Sequence, residues 1–369
     1  MTVARCRARD MDVIIGKHPT GRYNAITDVP GVMVGHSTII KGKGKLGVGK
    51  GPVRTGVTAI LPNGGDIFNN RVIGSGFILN GAGEVGGLTQ LMEWGLIETP
   101  ILLTNTMSIG TCSDALLKYM IDKHPGIGME HDVLIPVVGE CDDSWLNDIS
   151  GRHIKEKNVL EAIENASSGP VMEGNVGGGT GMITCDFKAG IGSSSRKVVI
   201  EDVSYTVGVL VMSNFGGVDD FRLDGMPVGR ILEKELNFSG RRKDNYGSII
   251  AVIATDVPLL SHQIARLCKR GALGIGRVGS YAAHDSGEIL IGFSTSNAVP
   301  RKSKKMLYKV KLILDQAINP LYQATVEAVE EAILNAMFMA ESMEGHSGRI
   351  VEALPLERVR EIINAYKIK

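Results

Sequence analysis

Forty-seven glycines cut this 369-residue chain into short apolar, β-branched runs, and that alternation limits its architecture more than anything else in the sequence. The glycines follow no short period, so neither a fibrous repeat nor a low-complexity tract explains them. They serve turns and close backbone approaches. Strands are expected over 57–61, 101–104, 133–138, 207–212, 249–254 and 289–293, several of them buried on both faces. Helices are expected between them: 113–122 with Ser113 as N-cap, 159–166, 226–236 with Pro227 in its first turn, and 261–270. Val326, Val329, Ile333, Ala336 and Met337 fall on one helical face, as do Leu356, Val359, Ile363 and Tyr366. The run YKVKLIL at 308–314 fits either a strand or the start of a helix. No linker divides the chain, so a single α/β domain over 1–369 is expected. Residues 237–247 read as a polar, basic loop in front of a very apolar strand.

Composition removes several classes of function. Lys plus Arg and Asp plus Glu both number 40, so the charge that phosphate-backbone binding needs is missing. Aromatics are 5%, too few to suggest stacking platforms for bases. No nucleic-acid partner is expected. Cys6, Cys112, Cys141, Cys185 and Cys268 form no C-x-x-C pair, which argues for reduced thiols rather than a disulfide framework or thiolate zinc site. No window of 18 apolar residues and no signal-type apolar stretch occurs, so a cytoplasmic protein without a membrane partner is expected.

Familiar motifs fail on inspection. G-x-G-x-x-G occurs at Gly42/Gly44/Gly47, Gly81/Gly83/Gly86 and Gly274/Gly276/Gly279, where a chain this rich in glycine gives roughly one by chance. The version at Gly81 lacks the acidic residue expected about 20 positions on. GKLGVGKG at 44–51 ends in Gly51 where a Walker loop needs Ser or Thr. H-E-x-x-H and G-x-S-x-G are missing, and the eight histidines show no metal-ligand spacing. No metal and no organic cofactor is expected.

Gly247-Ser248 is left, followed by IIAVIATDVPL. One reading is an ordinary turn-to-strand junction. The other is chemical: Ser248 Oγ attacks the Gly247 carbonyl, the resulting ester is hydrolysed, and Ser248 becomes a new N-terminus. One residue then holds nucleophile and base, because a free α-amine with a pKa of about 7.7 to 8.0 is partly neutral near physiological pH. Glycine on the acyl side leaves its carbonyl unshielded.

The segment YGSIIAVIATDVPLLSHQIARLCKRGALGIGRVGS, with NAITDVPGVMVGH, GNVGGGTGM and HDSGEILIGFSTSN, resembles the L-aminopeptidase/D-esterase and β-peptidyl aminopeptidase family of self-processing serine hydrolases. The resemblance runs from about residue 20 to about 340. It implies a four-layer αββα sandwich of N-terminal-nucleophile-hydrolase type, cleaved into chains 1–247 and 248–369. It implies hydrolysis of the N-terminal amide bond of short peptides, amino-acid amides or esters through an acyl-enzyme on Ser248. Homo-oligomers of the processed pair are implied as well.

By that resemblance Ser248 is the nucleophile, and Ser286 and Glu288 serve its hydroxyl and amine. Two residues apart at a strand start, the latter pair shares one face. Asn214 in VMSNFGG matches an oxyanion donor, worth about 3 to 4 kcal/mol where such a donor is removed. Glu140 lies in the loop that receives the substrate's amino end. Some members carry an aromatic hydroxyl near Cys141 or Asp142, which this chain lacks, so Trp145 is a candidate to line the pocket. Asn175 is a secondary candidate. Asp28 and His36 are expected to be structural. The glycines of GNVGGGTGM either bring backbone close to the catalytic strand or make a tight hairpin. Two other classes compete: an ornithine-to-glutamate acetyltransferase, whose nucleophile would be threonine, and a nucleotide-binding protein using the glycine loops.

Overall fold

The computed structural model describes residues 4–64, 66–236 and 247–367; apart from Gly247, the basic loop expected at 237–247 lies outside the described residues. Among the described residues the β-branched runs form two large sheets, beside two small two-stranded ones. One has five strands in the order Met33–Lys41, Val53–Leu61, Ile101–Asn105, Val137–Cys141 and Val85–Gly86. The other has six, in the order Ile191–Ile200, Val203–Asn214, Gly247–Thr255, Ser286–Pro300, Asn70–Gly81 and Leu96–Ile97. Most neighbours are antiparallel, but Gly247–Thr255 runs parallel to Ser286–Pro300, and Ile101–Asn105 parallel to Val137–Cys141. Parallel neighbours need a crossover. Helices Ser261–Val278 and Ile109–Lys123 lie in the two crossovers.

Alternation along the strands sets the layers. Ile250, Val252 and Ala254 join Val138 and Cys141 of the five-stranded sheet in one core, while Ile249, Ala251 and Ile253 join Ile264, Leu267, Val329 and Ile333 of the helices in another. Helices Ile109–Lys123 and Glu156–Glu164 cover the five-stranded sheet, and Ser261–Val278 and Asn319–Phe338 cover the six-stranded one. The result is the αββα sandwich. Close layering needs bare backbone: a Cβ at Gly192 would lie 1.9 Å from the Ala332 carbonyl oxygen of the covering helix.

Helix Asn319–Phe338 departs from a one-sided stripe and is buried over most of its length, Glu327 and Glu331 included. These carboxylates are paired. Arg196 reaches Glu331 at 2.6 Å and Glu327 at 3.2 Å, and Arg9 meets Glu331 at 2.8 Å.

Element ends moved where local signals misled. The helix expected from Ser113 begins at Ile109, so Ser113 lies inside it. The strand expected over 133–138 starts at Val137, because Pro136 has no amide hydrogen for a ladder. The helix expected to stop at 270 continues to Val278 through three glycines, of which Gly271 and Gly274 admit Leu290 and Val329 to close packing. Residues 307–314 adopt neither regular structure. Among the described residues, no helix is long and apolar enough to cross a membrane.

Candidate active site

The strand Gly247–Thr255 is apolar and buried throughout except for what its first turn of chain carries. Ser248 stands two residues before Ile250 and points with it toward the other sheet. Its neighbours are fixed by register: Asn214 opposite on the antiparallel side, Gly287 on the parallel side. Ser248 is 3% exposed, and its Oγ has no hydrogen-bond partner among the described residues. A buried hydroxyl without a partner is costly and unusual. The preceding position admits only glycine, since a Cβ there would lie 2.2 Å from the Asn214 carbonyl oxygen and 2.8 Å from Phe215 Cα.

Asn214 is clamped by backbone. Its Oδ1 accepts from the Ile183 amide at 2.9 Å, and its Nδ2 donates to the Asp142 carbonyl at 2.9 Å. Those two bonds settle which end of the amide is which and leave one Nδ2 hydrogen to spend. Beside Ser248 lies the Cys141 thiol, whose pKa burial pushes well above the ordinary thiol value while the Ser248 contact works against it. Cys141 Sγ donates to the Met212 carbonyl at 3.6 Å.

One residue earlier, Glu140 is 3% exposed. Its carboxylate accepts from the Glu84 amide at 2.9 Å and from the Thr106 hydroxyl. Burial raises its pKa, and those two hydrogen bonds oppose the rise. Gly83 is wedged between this carboxylate and Gly287, the register partner of Ser248: a Cβ there would lie 3.1 Å from Glu140 Oε1 and 3.5 Å from Gly287 Cα.

Ser286 and Glu288 flank Gly287 and share a face, as their spacing requires. Ser286 Oγ donates to Glu288 Oε1 at 2.5 Å, and Ser280 Oγ contacts the same oxygen at 3.4 Å. That face is the helix side, because Leu290 packs with the helices whereas Ile289 and Ile291 pack with the other sheet. Glu288 is fully buried, its Oε2 has no hydrogen-bond partner among the described residues, and burial raises its pKa. Ser248 thus sends its hydroxyl into the space between the sheets, while Ser286 and Glu288 on the neighbouring strand face the helices.

The profile of peptidase family S58 matches residues 24–351. The chain belongs to peptidase family S58. A β-peptidyl aminopeptidase, BapA of Sphingosinicella microcystinivorans, is 42% identical over 98% of this chain and 92% of its own length. Among solved structures, the PH0078 protein from Pyrococcus horikoshii OT3 superposes with a TM-score of 0.94 at 48% identity, covering 98% of this chain and 99% of that one. The L-aminopeptidase D-Ala-esterase/amidase from Ochrobactrum anthropi, described as a variant of the Ntn hydrolase fold and a prototype for the serine aminopeptidases, gives 0.89 at 40% identity over 98% and 99%. This S58 peptidase is thus a serine aminopeptidase of Ntn type.

The remaining candidates of the S58 chain make the following contacts. Trp145 packs in a small cluster with Leu146, Ile183, Met343 and Val351, under the Arg349 guanidinium at 3.9 Å. Asn175 staples a loop by exchanging hydrogen bonds with the Glu341 backbone. Asp28 accepts from the Tyr23 and Ala25 amides and from Ser195 Oγ, which makes it a turn anchor. His36 is buried against Thr58 at 3.0 Å, with its pKa lowered to about 4 by burial.

The glycine motifs divide by use. Gly177–Gly179 is a buried turn against the Val53–Leu61 strand, where a Cβ at Gly178 would lie 2.7 Å from the Leu103 carbonyl oxygen. It is a close approach, though to strands such as Val53–Leu61 and Ile101–Asn105 and not to the Gly247–Thr255 strand as expected, and it is no hairpin. In the 44–51 loop the Gly49 and Gly51 amides, which a phosphate would need, both donate to Asp148 Oδ2. Sequence reasoning missed Thr106, the Glu84 amide, Ser280 and the thiol against Ser248. Only the Gly81/Gly83/Gly86 repeat signalled any of them, and it serves Glu140, not a dinucleotide.

Proposed function

We propose that this S58 member cuts itself between Gly247 and Ser248 and then uses Ser248 to hydrolyse the N-terminal amide bond of short peptides, amino-acid amides or esters. The observation that carries the reading is the buried Ser248 hydroxyl, which beside the Cys141 thiol finds no hydrogen-bond partner of normal geometry among the described residues and stands behind a glycine that tolerates no side chain. In the first step Oγ adds to the Gly247 carbonyl, the C–N bond breaks, and the nitrogen takes the hydroxyl proton. Water hydrolyses the ester, leaving a Gly247 carboxylate and a Ser248 hydroxyl with a free amine.

In turnover that amine accepts the Oγ proton as Oγ attacks the substrate carbonyl, and passes it to the leaving amine; water then releases the acyl group by the same route in reverse. Asn214 donates its spare Nδ2 hydrogen to the oxyanion. Ser286 orients the Ser248 amine, and the Glu288 carboxylate stabilises it while it is an ammonium. Glu140, already supplied with two donors, takes the substrate's ammonium as a third. None of these steps draws on a cofactor. The active species is a homo-oligomer of paired chains 1–247 and 248–369, acting in the cytoplasm on small substrates.

Intact mass spectrometry tests the central step. Wild-type protein should give two chains divided at that bond, and Ser248→Ala one uncut chain. A break at the same bond in the alanine variant would remove the serine from the chemistry.

A further inference from the structure

Lys188 is fully buried, and its ammonium is spent on backbone: Nζ donates to the Ala189 carbonyl at 2.5 Å and the Met182 carbonyl at 2.7 Å, with Gly179 at 3.5 Å. A buried ammonium costs far more than a methionine of similar length, so packing alone does not account for it. The Met182 carbonyl shares a peptide plane with the Ile183 amide, and that amide holds Asn214 Oδ1 at 2.9 Å. One rigid plane therefore carries the lysine on its oxygen and the asparagine on its hydrogen. A hydrogen bond donated to the carbonyl also strengthens the amide as a donor, because bonded groups in a chain polarise one another.

The turn has little freedom of its own to absorb a change. A Cβ at Gly181 would lie 2.5 Å from the Arg54 carbonyl oxygen and 2.7 Å from Asp143 Cβ. Asp143 follows Asp142, whose carbonyl takes the other end of the Asn214 amide. One backbone jaw of the clamp is thus held by a buried lysine, and the other is followed in sequence by a buried aspartate.

We infer that Lys188 is a positioning residue for the reaction, holding the Met182–Ile183 peptide so that Asn214 keeps its free hydrogen aimed at the oxyanion. The inference rests on the oxyanion role assigned to Asn214 above. A double-mutant cycle separates the two. Wild type, Lys188→Met, Asn214→Ala and the double variant are compared in kcat and KM per titrated nucleophile, and in the first-order rate of the break between Gly247 and Ser248.

Lys188→Met should lower kcat and the break rate about ten- to a hundredfold with KM changed by less than about twofold. In the Asn214→Ala background it should cost less than about twofold, because the group it positions is gone. The same loss in both backgrounds, or unchanged rates in Lys188→Met, overturns the inference while leaving the asparagine's role intact. Full turnover by Asn214→Ala is the separate failure of that role, and ends the inference with it. Lys188→Gln, which keeps one donor, should recover part of the loss; failure of both lysine variants to accumulate as folded protein assigns the residue to stability alone and also overturns it.

Discussion

Asn214 and Ser248 are direct partners across the antiparallel pair, so the side-chain amide and the hydroxyl leave neighbouring strands side by side. The amide is held at both ends by backbone, at 2.9 Å each. A donor fixed in this way needs no reorganisation when charge develops beside it. Asn214→Ala should lower kcat about a hundred- to a thousandfold with KM nearly unchanged, read from steady-state hydrolysis of an amino-acid anilide. A change confined to KM would make the asparagine a binding group.

Gly247 sits where a methyl group would press into the Asn214 carbonyl at 2.2 Å. Gly247→Ala should therefore accumulate uncut chain, since relieving the contact moves either the scissile carbonyl or its asparagine neighbour. Denaturing gels of freshly purified protein measure the uncut fraction. Processing as complete as in wild type would show that the close approach has no part in the cleavage.

Glu288 and Asp142 should separate in their effects. Glu288→Gln should cost about a hundredfold in kcat, within the range for a positioned acid or base. Burial raises the Glu288 pKa, so the proton it must shed comes off above the ordinary carboxylate range. Activity should accordingly fall as pH drops through that raised value, and the limb should vanish in Glu288→Gln. Asp142→Asn should instead leave kcat nearly unchanged and alter only which substrates are accepted, because the bond Asp142 makes to Asn214 is through its backbone carbonyl, which the substitution keeps. Equal small effects from the two substitutions would remove the distinction.

Glu140→Gln should raise KM for substrates with a free amine by about tenfold, with little change in kcat, as removal of a charge-assisted bond does. N-acetylated anilides should be poor substrates for wild type and variant alike. Equal rates on acetylated and free substrates would leave Glu140 without an ammonium to bind.

His36 makes an acid-stability prediction. Its folded pKa is lowered to about 4 from 6.5, so on acidification the unfolded chain takes up the proton first. Stability is present above pH 6.5 and is lost as pH falls toward 4, by about 3 kcal/mol in all. Urea melts of wild type and His36→Gln at pH 7 and pH 4.5 should show the variant losing less. Identical pH dependence would place the acid sensitivity elsewhere.

The residues of the site were legible to unequal degrees. Ser248, Ser286 and Glu288 stood out through the resemblance of their segments to a known family, with which the neighbouring Gly247 and a spacing of two that gives a shared face agree. Thr106, Glu84 and Lys188 could not stand out. They act through a hydroxyl, a backbone amide and an ammonium supplied from distant segments, and no local pattern distinguishes those from the many others in the chain. The strands Met33–Lys41 and Ile191–Ile200 escaped for a related reason: glycines and serines mask a β signal that close helix packing demands.

From the sequence alone came the α/β alternation and the buried strand behind Gly247-Ser248, set by periodicity, and the pairing of Ser286 with Glu288, carried by resemblance to a known family and consistent with their spacing. Only the tertiary structure decided that Ser248 faces the space between the sheets while Ser286 and Glu288 face the helices, that Cys141 lies against Ser248, and that Asn214 is gripped by the backbone of two distant segments. Such relations depend on register between strands separated by long stretches of chain, and register is chosen by the packing of both sheets at once.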